Sequence, residues 1–299
     1  MRLHPMHPAV WVLDEVRDAG WTVCDLLAFT RASTLILVTR PSGPPVVLKA
    51  GFGSNHVLAE LDKDACRAAY GFYWYQQMTP AERDLAREDF RHEIDTTRSA
   101  AGAAHVVPLL EEGDTGRFDW YTMPYCSQGN FQSLLAAAEQ QDPGAKVTGL
   151  AILADVATGL TELHQRGIVH RDVYQENILV HDGCGLITDL GAARRTDAPR
   201  GPERRGPEVH WPPEYITGYA IATPAADVFS LAVLIYRLTC ADLPRLHGRE
   251  RLDSVPAPLR ELITGALSHH PAERPTMADM RDTLRQVNQP IVLAAKHRQ

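Results

Sequence analysis

Residues 170–191 read HRDVYQENILVHDGCGLITDLG, and the reading of this stretch decides the fold. His170-Arg171-Asp172 is followed by Asn177. A short apolar run, Ile178-Leu179-Val180, leads into the turn-like His181-Asp182-Gly183, and a second apolar run ends in Asp189-Leu190-Gly191. As local physics this is two short strands joined by a tight turn. The hairpin gathers three acceptor side chains, Asp172, Asn177 and Asp189, near one point. Two carboxylates and an amide at the ends of rigid strands suit a hard, oxygen-preferring cation such as Mg²⁺. They also leave one carboxylate to orient or deprotonate a hydroxyl.

The bulk numbers set bounds around that stretch. A chain of 299 residues holds one large domain or two lobes, and 44% apolar with 22% charged residues is ordinary for a globular protein. A net charge of −7 argues against a nucleic-acid surface covering the whole molecule. The five cysteines are scattered without a C-x-x-C pair, which fits reduced thiols rather than a disulfide frame or a zinc site. No stretch has the length of an apolar membrane span, and the first twenty residues do not read as a signal peptide. The expectation is a cytoplasmic protein with no membrane partner. Lysine occurs only at 49, 63, 146 and 296, the other basic residues being arginine, as in a GC-rich bacterial gene.

The order H-R-D-x-x-x-x-N followed by D-x-G resembles the catalytic and metal-binding loops of the protein kinase family, in its eukaryotic-like (Hanks-type) form. The resemblance implies an α+β, bilobal fold. An N-lobe with an antiparallel sheet and one helix, αC, would span 1–123, with an insertion at 51–78. A hinge would follow at 124–127, a mainly helical C-lobe at 128–288, and a tail at 289–299.

Taken in order, apolar positions over 8–19 ending at Gly20 suit a short helix. Residues 21–29, 33–40 and 46–49 read as strands, the last ending in Val47-Leu48-Lys49 where the family has V-A-I-K. The resemblance then implies that Lys49 pairs with the ATP phosphates. The family's G-x-G-x-x-G between the first two strands is missing: Phe29, Arg31 and Thr34 stand where the glycines belong. Arg31 either contacts phosphate through its side chain or faces solvent. Thr79-Pro80-Ala81-Glu82 reads as a capped helix start, with the helix running to about residue 99. Within it Glu93 is the candidate partner of Lys49, Glu60 being an alternative with poorer spacing. The inserted segment carries Tyr70, Phe72, Tyr73, Trp74 and Tyr75, either packing for an added helix or a ligand or partner surface.

Residues 105–110 and 118–123 read as two further strands. Met123-Pro124-Tyr125-Cys126 resembles the hinge, whose backbone at Met123, Tyr125 and Cys126 would meet adenine. Helices are expected over 131–141 and 148–166. Beyond Gly191 an Arg- and Pro-rich loop closes on Pro212-Pro213-Glu214, resembling A-P-E. Its only internal hydroxyl is Thr196, the candidate phosphosite if phosphorylation orders the loop through Arg171. Arg194, Arg195, Arg200, Arg204 and Arg205 leave acidic substrates or RNA open, or simply form a solvated face. A loop ordered without modification, or one with acidic Glu203 or Glu208 as the partner, is the other reading. Helices at 225–239, 256–267 and 276–287 complete the chain. The resemblance gives structural roles to His170, Gly191 and Asp227, and to Arg274 as the ion-pair partner of Glu214.

The resemblance implies Mg²⁺-assisted transfer from ATP to Ser/Thr of a protein. Asp172 would be the base, assisted by Lys49, Glu93 and Arg171, and Asn177 and Asp189 would be the metal donors. Two departures bear on this: Tyr174 replaces a lysine expected two residues after Asp172, and Pro207 replaces a threonine. A binding-only pseudokinase and a kinase-like enzyme with a non-protein acceptor therefore stay open.

Overall fold

A computed structural model describes residues 7–56, 78–198, 210–244 and 250–296. Expectations resting on Glu60, the 70–75 aromatics, Arg200, Glu203, Arg204, Arg205, Pro207 and Glu208 fall outside those residues, as does most of the 51–78 insertion. The chain forms two compact units. The first holds Met1–Ala101 with Pro108–Tyr125, the second Gly102–Val107 with Cys126 onward. The stretch expected to be a hinge, 124–127, straddles this division.

In the first unit, helix α1 (Pro8–Asp18) starts on a proline, and His7 Nδ1 accepts the Ala9 N–H at 3.1 Å. Its Val12, Leu13 and Val16 pack in one core with Ile36, Val38 and Leu48 of the sheet and with Phe118 beside it. Each such side chain contributes about 1.5–3 kcal/mol by leaving water. The sheet comprises β1 (Thr22–Phe29), β2 (Thr34–Thr39), β3 (Val46–Ala50), β4 (Glu112–Asp114) and β5 (Asp119–Pro124). Its order is β1-β2-β3-β5-β4, with every pair antiparallel. Helix α2 (Pro80–Ser99) opens on a reciprocal capping box between Thr79 and Glu82.

The strand expected at 105–110 does not form. Val106 makes one isolated bridge to Ile187, and the ladder to β5 is made by Glu112–Asp114. His105 turns the chain with φ 57, and Pro108 has no N–H to give a ladder. The apolar run instead ties Gly102–Val107 into the second unit. Ala104 N–H donates to Glu162 Oε2 at 3.0 Å, and Val107 N–H donates to Ile187 O at 2.9 Å.

The second unit is mainly helical: α3 (Gln132–Glu139), α4 (Pro143–Gln165), α5 (Tyr215–Gly218), α6 (Pro224–Cys240), α7 (Ala257–Ala266) and α8 (Met277–Lys296). Between α4 and α5 lie β6 (Ile168–Val169), β7 (Ile178–His181), β8 (Cys184–Ile187) and β9 (Arg194–Arg195), pairing as β6-β9 and β7-β8. α4 begins earlier than expected because Asp142 caps the Gly144 N–H at 2.8 Å ahead of Pro143. The α8 backbone stays helical to Lys296, through most of the stretch expected to be a tail. The α4 positions Leu150, Leu153, Ala157, Leu160 and Leu163 are all buried, as are Leu231, Leu234 and Leu238 of α6. These two helices form the scaffold on which the loops between α4 and α5 are hung.

Candidate active site

The 170–191 stretch does form a hairpin, β7 and β8, but only over its second half. Asp182 (φ 48) and Gly183 (φ 74) both take positive φ at the turn, which matches the right-handed twist of a two-residue hairpin. The first half, His170 to Asn177, is a loop held by side chains that ends in a 3₁₀ turn, Gln175–Asn177.

Asp227, the fourth residue of α6 and fully buried, anchors that loop. Its Oδ1 accepts the Arg171 N–H and its Oδ2 the His170 N–H, both at 2.8 Å, and His164 Nε2 donates to Oδ2 at 2.8 Å. Burial pushes the Asp227 carboxyl up, but the hydrogen bonds from His164 and from the His170 N–H help to outweigh it, and the group sits below the usual carboxylate range. His170 Nδ1 accepts the Asp172 N–H at 3.2 Å, and its Nε2 faces Thr188 O at 3.0 Å. Only the neutral Nε2–H tautomer satisfies both contacts.

Asn177 Nδ2 donates to both the backbone O and Oδ2 of Asp172, each at 3.0 Å. Its backbone O accepts the Thr188 N–H at 3.0 Å, so Asp189 begins one residue away from Asn177. Asp189 is left-handed, φ 63 and ψ 80, and accepts the Gly191 N–H at 3.1 Å. The structure thus brings Asp172, Asn177 and Asp189 together. Among the described residues, no three His, Cys, Asp or Glu side chains converge as a metal cage. Two hard oxygen donors fit a cation that keeps water and phosphate ligands, as Mg²⁺ does.

Tyr174 lies in the same loop, half-buried, its ring 6.3 Å from that of His210. Burial, then the charges of Asp172, Glu176 and Asp189, push the phenol up, so it stays protonated and neutral. Burial and the nearby Arg237 hold His210 down at about 4. Arg171, also at positive φ, is buried: its Nε donates to Ala192 O at 2.6 Å and its Nη1 to Tyr219 O at 3.0 Å. Thr196 is exposed, and its N–H donates to Gly167 O at 2.7 Å. Glu214 receives a bidentate pair from Arg274, 2.7 and 2.8 Å, with the Arg274 side chain fully buried. Gly191 is buried beside Ala192.

In the first unit Lys49 Nζ donates to Glu93 Oε1 at 2.6 Å, with Lys49 3% and Glu93 0% exposed. Tyr121 OH donates to the same oxygen at 2.8 Å. Tyr121 is the direct cross-strand partner of Lys49, so the two side chains share a sheet face. Helix α2 is held in register by Arg87 and Arg91, one turn apart, which both pair with Asp119 of β5 at 2.7 and 3.0 Å. Burial raises the Asp119 carboxyl, yet the two guanidinium groups hold it below its ordinary value. Sequence reasoning missed Tyr121, His164 and the Arg87–Arg91–Asp119 clip. The four-residue spacing of the arginines was the available signal for the last. Met123 is buried in β5 opposite Val47, Tyr125 closes the first unit, and Cys126 opens the second. Burial pushes the Cys126 thiol up. Arg31 is exposed on the β1–β2 turn.

Comparison with known proteins bears on both units. A family model described as the protein kinase domain matches residues 75–284, which leaves Lys49 outside the matched range. A probable protein kinase of Dictyostelium discoideum is 28% identical, over 59% of this chain and 54% of its own length. The mitosis inhibitor protein kinase wee1 of Schizosaccharomyces pombe is 25% identical, over 64% of this chain and 26% of its own. The serine/threonine-protein kinase PknL of Mycobacterium tuberculosis is 30% identical, over 56% of this chain and 47% of its own. The chain therefore spans about half, or less, of the length of these relatives. With the match covering more than half of the chain, and with the second unit carrying the loop geometry described, the chain belongs to the protein kinase family.

Proposed function

We propose that this chain transfers the γ-phosphoryl group of ATP to a Ser or Thr hydroxyl of a protein substrate, with Asp172 as the base. The observation that carries the reading is the Asn177 clip on Asp172, 3.0 Å to the carboxylate and 3.0 Å to the backbone. One bond fixes the carboxylate's rotation and the other fixes the loop beneath it. Phosphoryl transfer asks for positioning and charge neutralisation more than for covalent chemistry. A carboxylate so held takes the hydroxyl proton as that oxygen attacks the γ-phosphorus and the bond to the β-bridging oxygen breaks, releasing ADP.

The amide Nδ2 is committed to Asp172, so Asn177 offers Oδ1 as its metal donor, with Asp189 as the second. Mg²⁺, when bound there, supplies charge neutralisation at the phosphate oxygens. Lys49, held by Glu93, would pair with phosphate, Arg31 would add a second cation, and the backbone at Met123, Tyr125 and Cys126 would meet adenine. The name of the mycobacterial relative favours Ser/Thr over other acceptors.

One observation favours a second reading, a nucleotide-responsive binding module: the neutral Tyr174 phenol stands where the family places a lysine. Incubation with γ-labelled ATP and Mg²⁺ separates the two. Label on the chain or on a generic protein substrate, lost in Asp172→Ala, is the expected result. Nucleotide binding without any Asp172-dependent label would leave the binding module.

A further inference from the structure

The β1–β2 turn has no glycine, and its hydrogen bonds are consumed internally. The Thr30 N–H donates to Ser33 O at 2.9 Å, and Thr30 Oγ1 accepts the N–H groups of Ala32 (3.3 Å) and Ser33 (3.0 Å). Three backbone donors that would otherwise point at an anion are spent within the turn. Its carbonyls are engaged as well. Ser54 N–H donates to Thr30 O at 2.9 Å, and Asn55 N–H donates to Arg31 O at 3.2 Å. Thr34 Oγ1 donates to Phe52 O at 2.5 Å.

The segment making these bonds, Gly51 to His56, follows β3 directly and is almost wholly buried. Its two glycines are there because two neighbours leave no room. A Cβ on Gly53 would lie 2.5 Å from Thr30 O and 2.6 Å from Arg31 C, backbone atoms that cannot swing aside. A Cβ on Gly51 would lie 2.5 Å from the Phe90 ring, one turn before Glu93 on α2. The Gly51 N–H donates to the O of Asp119, the residue that pairs with Arg87 and Arg91. In the sheet, Thr34 stands opposite Ala50 and Leu35 opposite Lys49, so the turn adjoins the Lys49 end of β3.

We propose that Gly51–His56 clamps the β1–β2 turn shut, and that Gly53 and Thr30 are positioning residues that hold Arg31 for the phosphates of a bound nucleotide. The close-approach glycine that the family places in the turn has moved to the segment that grips it. Phosphate recognition here then passes from turn amides to the Arg31 side chain, at an orientation set by the clamp. This rests on the nucleotide-binding reading above.

The test is calorimetric titration of the full chain with ATP–Mg²⁺ and, separately, with adenosine. Wild type is compared with Gly53→Ala, Arg31→Ala, the double variant, Thr30→Val and Thr30→Ser. Loss of one charge-assisted contact to phosphate weakens ATP about tenfold in Gly53→Ala, Arg31→Ala and Thr30→Val. Adenosine affinity stays at the wild-type value in each. The double variant is no weaker than either single, because both changes remove the same contact. Thr30→Ser keeps the acceptor oxygen and binds ATP as wild type does. The proposal is overturned if Gly53→Ala and Thr30→Val bind ATP normally, if ATP and adenosine weaken together, or if the double variant loses the sum of the singles. Wild type that binds neither ligand would overturn the nucleotide reading itself, and this inference with it.

Discussion

Asp227→Asn is a one-atom change at the point on which the His170–Asn177 loop hangs. Oδ2 serves two donors, His164 Nε2 and the His170 N–H, and Oδ1 serves the Arg171 N–H, all at 2.8 Å. An asparagine placed with its oxygen at Oδ2 keeps the first two bonds but sets its NH₂ against the Arg171 N–H. The flipped amide loses both of the others. The better orientation forfeits one charge-assisted bond, about 1.5–3 kcal/mol, and leaves a buried N–H unsatisfied, about 1–3 kcal/mol. A total of about 3–5 kcal/mol follows. At about 2–4 °C per kcal/mol for a domain of this size, the melting temperature falls by about 6–20 °C. Scanning calorimetry measures this, and labelled phosphoryl transfer measured well below the transition should fall too, since Asp172 follows directly on Arg171. A variant melting within about 2 °C of wild type, with transfer unchanged, would refute the idea that Asp227 carries the loop.

Lys49→Met takes the cation from the buried Glu93 carboxylate and should destabilise the first unit by about 3–5 kcal/mol in urea titration, whereas Lys49→Met with Glu93→Leu should recover most of it; equal losses would contradict a coupled pair. On the proposed reaction, Tyr174→Lys sets a cation near Asp172 and should raise the transfer rate at least about tenfold; an unchanged or lower rate would mean that the phenol is not a deficit. Asp119 and Asp227 both have folded pKa values below their unfolded ones. Their stabilisation is fully present above the unfolded value, about 3.9, and is lost as pH falls through the lower folded values. Arg87→Ala with Arg91→Ala removes what depresses Asp119, so it should lower stability at neutral pH and flatten the acid limb of an unfolding series; a parallel shift at every pH would oppose this.

Much of this was legible in the chain because local rules determined it. Asp182-Gly183 between apolar runs leaves little but a tight hairpin turn, and Thr79-Pro80-Ala81-Glu82 reads directly as a helix start. The residues that meet at Asp172 were visible because they fall within one short stretch. What was not legible depends on partners distant in sequence. Tyr121 reaches Glu93 only because β5 pairs with β3 in a register that sets Tyr121 against Lys49. His164 meets Asp227 across two helices, 63 positions apart. The run at 105–110 has strand-like composition, yet Ile187 claims the His105 carbonyl and the Val107 N–H. The missing glycines of the β1–β2 turn read as a defect in isolation, and Gly53 becomes meaningful only once the segment after β3 lies against Thr30.

The central claim is that Asp172 acts on the acceptor hydroxyl and not on nucleotide binding. Calorimetric titration with ATP–Mg²⁺, paired with single-turnover transfer to protein, tests it on wild type and Asp172→Asn. Equal nucleotide affinity is expected in the two proteins, with transfer in wild type and a loss of at least about a hundredfold in the variant. Equal transfer in both, or no transfer in wild type despite tight nucleotide binding, would contradict it.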